Sequence, residues 1–207
     1  MKNKLILFDW GNVVESHITG YTGFDAWNDL FSECGYEGNE PGFVLIYKYE
    51  LSAISSEKEF ERVYGLMKEE FHFNKTYKEF VKTYNKIFSK IDYYEDVVTY
   101  EHSLKNKCKI GVLSNLVIFD KKRIDKQLNL SKYDYVFLSF EMGLRKPNIK
   151  IFEEVQKKLP FKKEDILFID DRFDNISAAK EFGWNTFQAT GLEINKIKDV
   201  CEKFINS

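Results

Sequence analysis

The feature that most constrains this chain is a short apolar run, Leu5-Ile6-Leu7-Phe8, that closes on a carboxylate, Asp9, and breaks at once into Trp10-Gly11-Asn12. A buried run of that kind reads as a strand of a parallel sheet. It delivers its last side chain to the C-terminal edge, where open α/β sheets bind their ligands. Three later segments end the same way: Lys109-Ile110-Gly111-Val112-Leu113 on Ser114-Asn115, Gly143-Leu144-Arg145 on Lys146-Pro147, and Ile166-Leu167-Phe168-Ile169 on Asp170-Asp171. One sheet edge thus collects a nucleophilic carboxylate, a hydroxyl with an amide, a lysine and an acidic pair. That set of groups suits phosphoryl transfer.

Hydrophobic periodicity divides the chain into two textures. Residues 1–15 and 96–207 alternate short apolar runs with helical patterns, with strands expected near 5–9, 109–113, 135–139, 166–170 and 185–189. This is the alternation of an α/β core, a Rossmann-like parallel sheet covered on both faces. Residues 16–95 carry no strand signal, and their apolar residues recur at three and four. Phe24, Trp27, Leu30, Phe31 and Cys34 form one stripe; Phe60, Val63, Tyr64 and Met67 a second; Tyr77, Phe80, Val81, Tyr84, Ile87, Phe88 and Ile91 a third. Ser56 and Glu59 read as a capping box that starts the second helix. A helical domain inserted after the first strand is expected to lie over the carboxylate edge as a cap. Gly20-Tyr21-Thr22-Gly23 has no strand leading into it and reads as a hinge, not a phosphate loop. Ile194, Ile197, Val200 and Phe204 have the spacing of a closing helix.

Composition excludes several classes of function. A length of 207 residues accommodates one core and a small second module, and 43% hydrophobic with 31% charged residues is ordinary for a soluble protein. A formal charge of -2 leaves no footprint for nucleic acid or an anionic membrane. Cys34, Cys108 and Cys201 lack metal or redox spacing and read as reduced, buried thiols. With no signal-peptide pattern before the first strand and no spanning apolar stretch, the expected location is cytoplasmic.

Each motif also has a plain structural explanation. Asp9 could be a turn former, but Gly11 lets the backbone turn sharply enough for a carbonyl to face a cation. Ser114 and Asn115 could be an N-cap pair for the next helix, and a hydroxyl with N–H groups at a helix start also binds phosphate oxygens. Lys146 could be a solvated loop charge, yet a lysine near Asp9 would hold it ionised and neutralise a transferring phosphoryl group. Asp170 and Asp171 repel one another unless a cation compensates, and magnesium (Mg2+) prefers carboxylate and carbonyl oxygens. Asp9, Asp171 with Asp170, and the Gly11 carbonyl fit that demand.

The four motifs, in this order, resemble those of the haloacid dehalogenase superfamily. Phe8-Asp9-Trp10-Gly11-Asn12-Val13, Leu113-Ser114-Asn115, Gly143-Leu144-Arg145-Lys146-Pro147 and Asp170-Asp171-Arg172-Phe173-Asp174-Asn175 look like the bacterial phosphatase subgroup that includes α-D-glucose-1-phosphate phosphatase. Tyr49-Glu50-Leu51-Ser52-Ala53-Ile54-Ser55 is similar to that subgroup's Glu-x-Gly-x-Ile-Ser pattern, with Ser52 in place of glycine. The resemblance implies a type C1 helical cap and a magnesium-dependent phosphatase acting through an aspartyl phosphate on Asp9. Lys146, Ser114 and Asn115 would hold the substrate phosphate. The substrate would be a small phosphorylated metabolite such as a sugar 1-phosphate, and the protein a monomer or homodimer.

The chain departs from most of the superfamily at Gly11, where phosphatases usually carry a second aspartate as general acid. The same gap occurs in the glucose-1-phosphate-type subgroup. Loss of a general acid costs ~10²–10⁴-fold in rate and weighs most on poor leaving groups, so anomeric and acyl phosphates are favoured. Glu15 and His17 are candidate substitutes, with a solvated hinge as the simpler reading of both. Two alternatives stay open: a metal-free 2-haloacid dehalogenase, in which the same carboxylate attacks carbon, and a non-catalytic phosphometabolite-binding protein. The acidic pair argues against the first.

Overall fold

The computed structural model describes residues 4–16, 19–51 and 57–207, and their side chains except at 57, 58 and 126–128. Among them, five strands, β1 (Leu5–Phe8), β2 (Lys109–Ser114), β3 (Tyr135–Leu138), β4 (Ile166–Asp170) and β5 (Asn185–Gln188), form one all-parallel sheet in the order β3-β2-β1-β4-β5. All five were expected from their apolar runs. β1 is central, so the chain winds outward through β2 and β3, then crosses back to β4 on the other side. The reversal of winding leaves a crevice at the C-terminal ends of β1, β2 and β4, the usual binding position in sheets of this kind.

Alternation along the strands explains the layers. Leu5 and Leu7 of β1 face one side with Phe168 of β4, and against them pack Ile151, Phe152 and Val155 of α8 (Ile149–Lys157) and Ala179 of α9 (Phe173–Phe182). Ile6 and Phe8 face the other side with Ile110, Val112 and Ile169. That face is covered by α5 (Glu95–Ser103), α6 (Ile118–Leu128) and the closing helix α10 (Ile194–Asn206), which buries Ile197, Cys201 and Phe204. The three cysteines are free and buried.

Between β1 and β2 the described chain is helical: α1 (Gly23–Glu33), α2 (Gly42–Ile46), α3 (Glu57–Phe71) and α4 (Tyr77–Phe88). Thr22 caps α1 through a reciprocal box with Asp25, so the Gly20–Gly23 segment serves as a helix entry. Thr76 and Glu79 do the same for α4. The box expected at Ser56, the Ser52–Ser55 stretch and His17 lie outside the described residues. Phe80 of α4 packs on Tyr64 at 4.6 Å and on Phe119 of α6 at 5.1 Å, which ties the insertion to the sheet's own layer.

The segment ending on Lys146 is reached without a strand: β3 ends at Leu138, the short helix α7 (Ser139–Met142) follows, and Gly143 takes the left-handed conformation, φ 64°, that turns the chain into Leu144-Arg145-Lys146. Two local expectations differ from the structure. Ser114 and Asn115 do not cap the next helix, because α6 starts only at Ile118. Phe24 breaks from its stripe at 45% exposure while Trp27, Leu30 and Phe31 are buried.

Because Phe80 is fully buried and touches both the insertion and α6, Phe80→Ala is expected to cost about 3–5 kcal/mol in urea unfolding. A loss below ~1 kcal/mol would mean that the insertion packs independently of the sheet.

Candidate active site

Strand register alone brings the acidic groups together. Phe8 of β1 lies opposite Ile169 of β4, so Asp9 and Asp170, one residue further on, emerge side by side at the sheet edge. Asp9, Asp170 and Asp171 each place a carboxylate oxygen within 4.8 Å of the others. Lys146 reaches this cluster from the loop after α7. Its ammonium lies 2.8 Å from Asp9 Oδ1 and 2.6 Å from Asp170 Oδ2, and also donates to the Leu113 carbonyl at 2.8 Å. Burial disfavours the Lys146 charge, but the carboxylates of Asp170 and Asp9 outweigh it and raise its pKa above the ordinary lysine value.

The three acids have different surroundings. Asp9 Oδ1 accepts from the Trp10 N–H at 2.6 Å, from Ser114 Oγ at 2.8 Å and from Lys146. These contacts all fall on one oxygen and leave Oδ2 as the side of the carboxylate that no described protein group holds. Both oxygens of Asp170 are occupied, by Lys146, by the Arg172 N–H at 2.8 Å and by Asn175 Nδ2 at 3.0 and 2.9 Å. Asp170 is therefore a support for the lysine. Among the described side chains, Asp171 accepts from Asn12 Nδ2, at 3.0 Å. Burial pushes Asp9 up to about 7, with Lys146 opposing and Asp170 reinforcing the shift, and burial likewise raises Asp171.

Asn115 lines the same cavity, but its amide is spent on the backbone of Lys146: Nδ2 donates to the carbonyl and Oδ1 accepts the N–H, both at 2.9 Å. Its side chain holds the lysine loop in place; Ser114 likewise donates to Asp9. Gly11 lines the cavity too, and a Cβ built there meets nothing within 4 Å. Glu15 is no solvated hinge. It is buried, accepts from Trp10 Nε1 at 3.2 Å and pairs with Arg123 at 2.9 Å.

Sequence reasoning assigned no role to Asn12, Glu50, Arg145 or Asn175. Asn12 and Asn175 hold Asp171 and Asp170, and a residue with a left-handed backbone (Asn12, φ 56°) directly after a motif is the signal that could have drawn attention to the first. Glu50 is buried on the cavity wall in an ion pair with Arg145 at 3.1 Å that lacks hydrogen-bond alignment. Burial raises its pKa to about 7 against the opposing Arg145 charge. Around these groups lies a cavity of ≈ 300 Å³, walled on the far side by the insertion, including Trp27, Phe43 and Phe88. A set of three clustered carboxylates, two of them with room to accept further contacts, is chemically fit for a hard divalent cation.

Comparison with known proteins places this geometry in context. The haloacid dehalogenase-like hydrolase family model matches residues 27–189; Asp9 and β1 lie outside the match. A haloacid dehalogenase family enzyme from Bacteroides thetaiotaomicron, solved as a variant with magnesium and inorganic phosphate, superposes with a TM-score of 0.75 at 19% identity, covering 91% of this chain and 95% of that one. A haloacid dehalogenase-like hydrolase from Porphyromonas gingivalis gives 0.68 at 22% identity, with 97% and 98% covered. At these identities the likeness is one of fold. Among curated proteins, a sesquiterpene phosphatase of Aspergillus oryzae is 33% identical over 51 residues, 25% of this chain and 26% of its own. A drimenol cyclase of Aspergillus calidoustus is 37% identical over 51 residues, only 10% of its own length. No described helix is long and apolar enough to cross a membrane.

The raised Asp9 value carries a stability consequence. Between the ordinary 3.8 and about 7 the folded chain keeps a proton that the unfolded chain has lost. This group's contribution to stability therefore falls as pH rises through that window and is constant above it. In chelator-treated buffer, Asp9→Asn is expected to match the wild type at the acid end of the window and to exceed its urea midpoint at the alkaline end. A variant less stable than the wild type above the window would mean that Lys146 compensates the buried charge fully.

Proposed function

The chain belongs to the haloacid dehalogenase-like hydrolases, and on that premise we propose that it is a magnesium-dependent phosphatase that works through a phosphorylated Asp9. The observation that carries this reading is the buried ammonium of Lys146 shared between Asp9 and Asp170, with Asp171 alongside. A haloalkanoate dehalogenase has no need of the further carboxylate at Asp171, held ready by Asn12. A cation bound by Asp9 and Asp171, with the Gly11 carbonyl, would supply positive charge to the phosphate oxygens and keep Asp9 ionised.

In this reading the Asp9 carboxylate attacks phosphorus in line with the scissile bond. The new O–P bond forms as the bond to the leaving oxygen breaks, and the leaving oxygen departs with the electron pair. Lys146 offsets charge on the phosphoryl group while holding Oδ1, so the nucleophile does not turn away. Water then attacks phosphorus, loses a proton to solvent, and releases inorganic phosphate with Asp9 restored. Ser114 and Asn115 support this step by fixing Asp9 and the Lys146 loop, and residues 16–95 act as the cap that walls the site.

Without an acid at position 11, leaving groups that depart readily without a proton are favoured. An anomeric oxygen, as in a sugar 1-phosphate, and a carboxylate, as in an acyl phosphate, meet that condition. The partial likeness to a sesquiterpene phosphatase supports phosphate ester hydrolysis as the reaction class.

Asp9→Asn is expected to remain folded and to lose p-nitrophenyl phosphate hydrolysis by at least ~10³-fold. Substantial residual activity in pure protein would rule out attack by Asp9. Exhaustive chelation should abolish the same reaction. Activity that survives it, together with chloride release from 2-chloropropionate, would return the dehalogenase reading. Since a Cβ at position 11 meets nothing within 4 Å, Gly11→Asp is expected to raise phosphorylation of Asp9 by glucose 6-phosphate by ~10²-fold, and that by glucose 1-phosphate far less. Equal gains for both would show that protonation of the leaving group is not what Gly11 withholds.

A further inference from the structure

Resting on the phosphatase reading, we propose that the group carrying the phosphate is a short apolar chain or ring, received by the aromatic wall of the helical insertion. The cavity over Asp9 is lined by ionic and apolar side chains together. Asp9, Lys146, Asp171 and Arg172 line it where a phosphate would meet Asp9, and Arg145 lines it too, its guanidinium 4.4 Å from the Tyr47 ring. The apolar part of the lining is Phe24, Trp27, Phe43, Ile46 and Phe88 of the insertion with Leu116 and Val117.

Several charged groups on the lining are already matched to one another, whereas Glu50 Oε2 and Arg145 Nε face each other at 3.1 Å without a hydrogen bond. Arg123 pairs with Glu15 at 2.9 Å and Asp120 at 3.5 Å, and Asp120 accepts from Tyr84 Oη at 2.7 Å. Asn12 is bonded to Asp171, and Asn115 to Lys146. Away from Glu50 and Arg145, a sugar brought against the aromatic rings would bury hydroxyls with few groups left to answer them. Each unanswered hydroxyl costs binding and each buried methylene gains it. Phe24 adds a second indication: it stays 45% exposed although it belongs to an otherwise buried stripe, and it packs on Phe43 with ring centroids 4.9 Å apart at the cavity rim. A cavity of ≈ 300 Å³ is at the small end of ligand sites, which limits the apolar group to a short one.

The test uses n-alkylphosphonates from methyl to hexyl, which keep the charged head and cannot be hydrolysed, titrated calorimetrically into the full chain with magnesium. Affinity is expected to rise about fourfold per methylene until the cavity is filled, with a heat-capacity change that grows more negative along the series. A six-carbon phosphonate with a hydroxyl on every tail carbon is expected to bind at least ~50-fold more weakly than hexylphosphonate. Phe24→Ser, at a half-exposed position, should leave the urea midpoint within a small shift, cost hexylphosphonate about tenfold and flatten the series. A flat wild-type series, or tighter binding of the hydroxylated tail, would overturn the proposal. Acetyl phosphate hydrolysis, measured alongside, tests the phosphatase reading separately. Its absence with the alkyl gradient intact would reject that reading and keep the apolar site; its presence with a flat gradient would do the reverse.

Discussion

Everything at the sheet edge depends on one buried ammonium. Lys146 is almost wholly removed from solvent, and so are the two carboxylates it touches. Taking three charges out of water is costly, and the Coulomb attraction offsets that only when every remaining lone pair and proton is matched. The structure meets this condition for Lys146, through the Leu113 carbonyl for its third proton, and for Asp170, through Asn175 and the Arg172 N–H; Asp9 is matched on Oδ1 alone, by Ser114 and the Trp10 N–H beside the lysine. These partners come from β1, β2, β4 and the start of α9. Removing the lysine would leave two like charges facing one another where the strands converge.

Much of the α/β layer was legible from sequence because its information is local. Each buried strand is a contiguous apolar run, and a parallel register puts the residue after each run on the same edge whatever the helices do. The clustering of Asp9, Asp170 and Asp171 follows from that alone. The pairing of Glu15 with Arg123 was not legible, since it joins residues 108 apart through a side chain whose direction depends on packing. The same holds for Asn115, whose motif position marks it as functional while only the backbone path from Gly143 to Lys146 shows what its amide bonds. The path into Lys146 was not legible, because Leu144 and the residues around it form no apolar run. A left-handed glycine after a four-residue helix leaves little periodic trace.

The insertion was legible as helices but not as a surface. Stripes at three and four identify which residues leave water, not whether they face their own core or a cavity. Trp27 and Phe88 do both: their rings pack at 5.1 Å and both border the cavity above Asp9. Only Phe24, the member of its stripe that stays half in solvent, distinguishes the two uses.

With Asp9 as the proposed nucleophile, the three donors gathered on its Oδ1 also fix when the entropy of aiming it is lost. A surface aspartate samples several rotamers, and a reaction that needs one of them must select it at every turnover. Here the carboxylate's two oxygens are made inequivalent by folding, one anchored and the other presented. The ordering is done once per molecule, at synthesis, and is shared over all later turnovers.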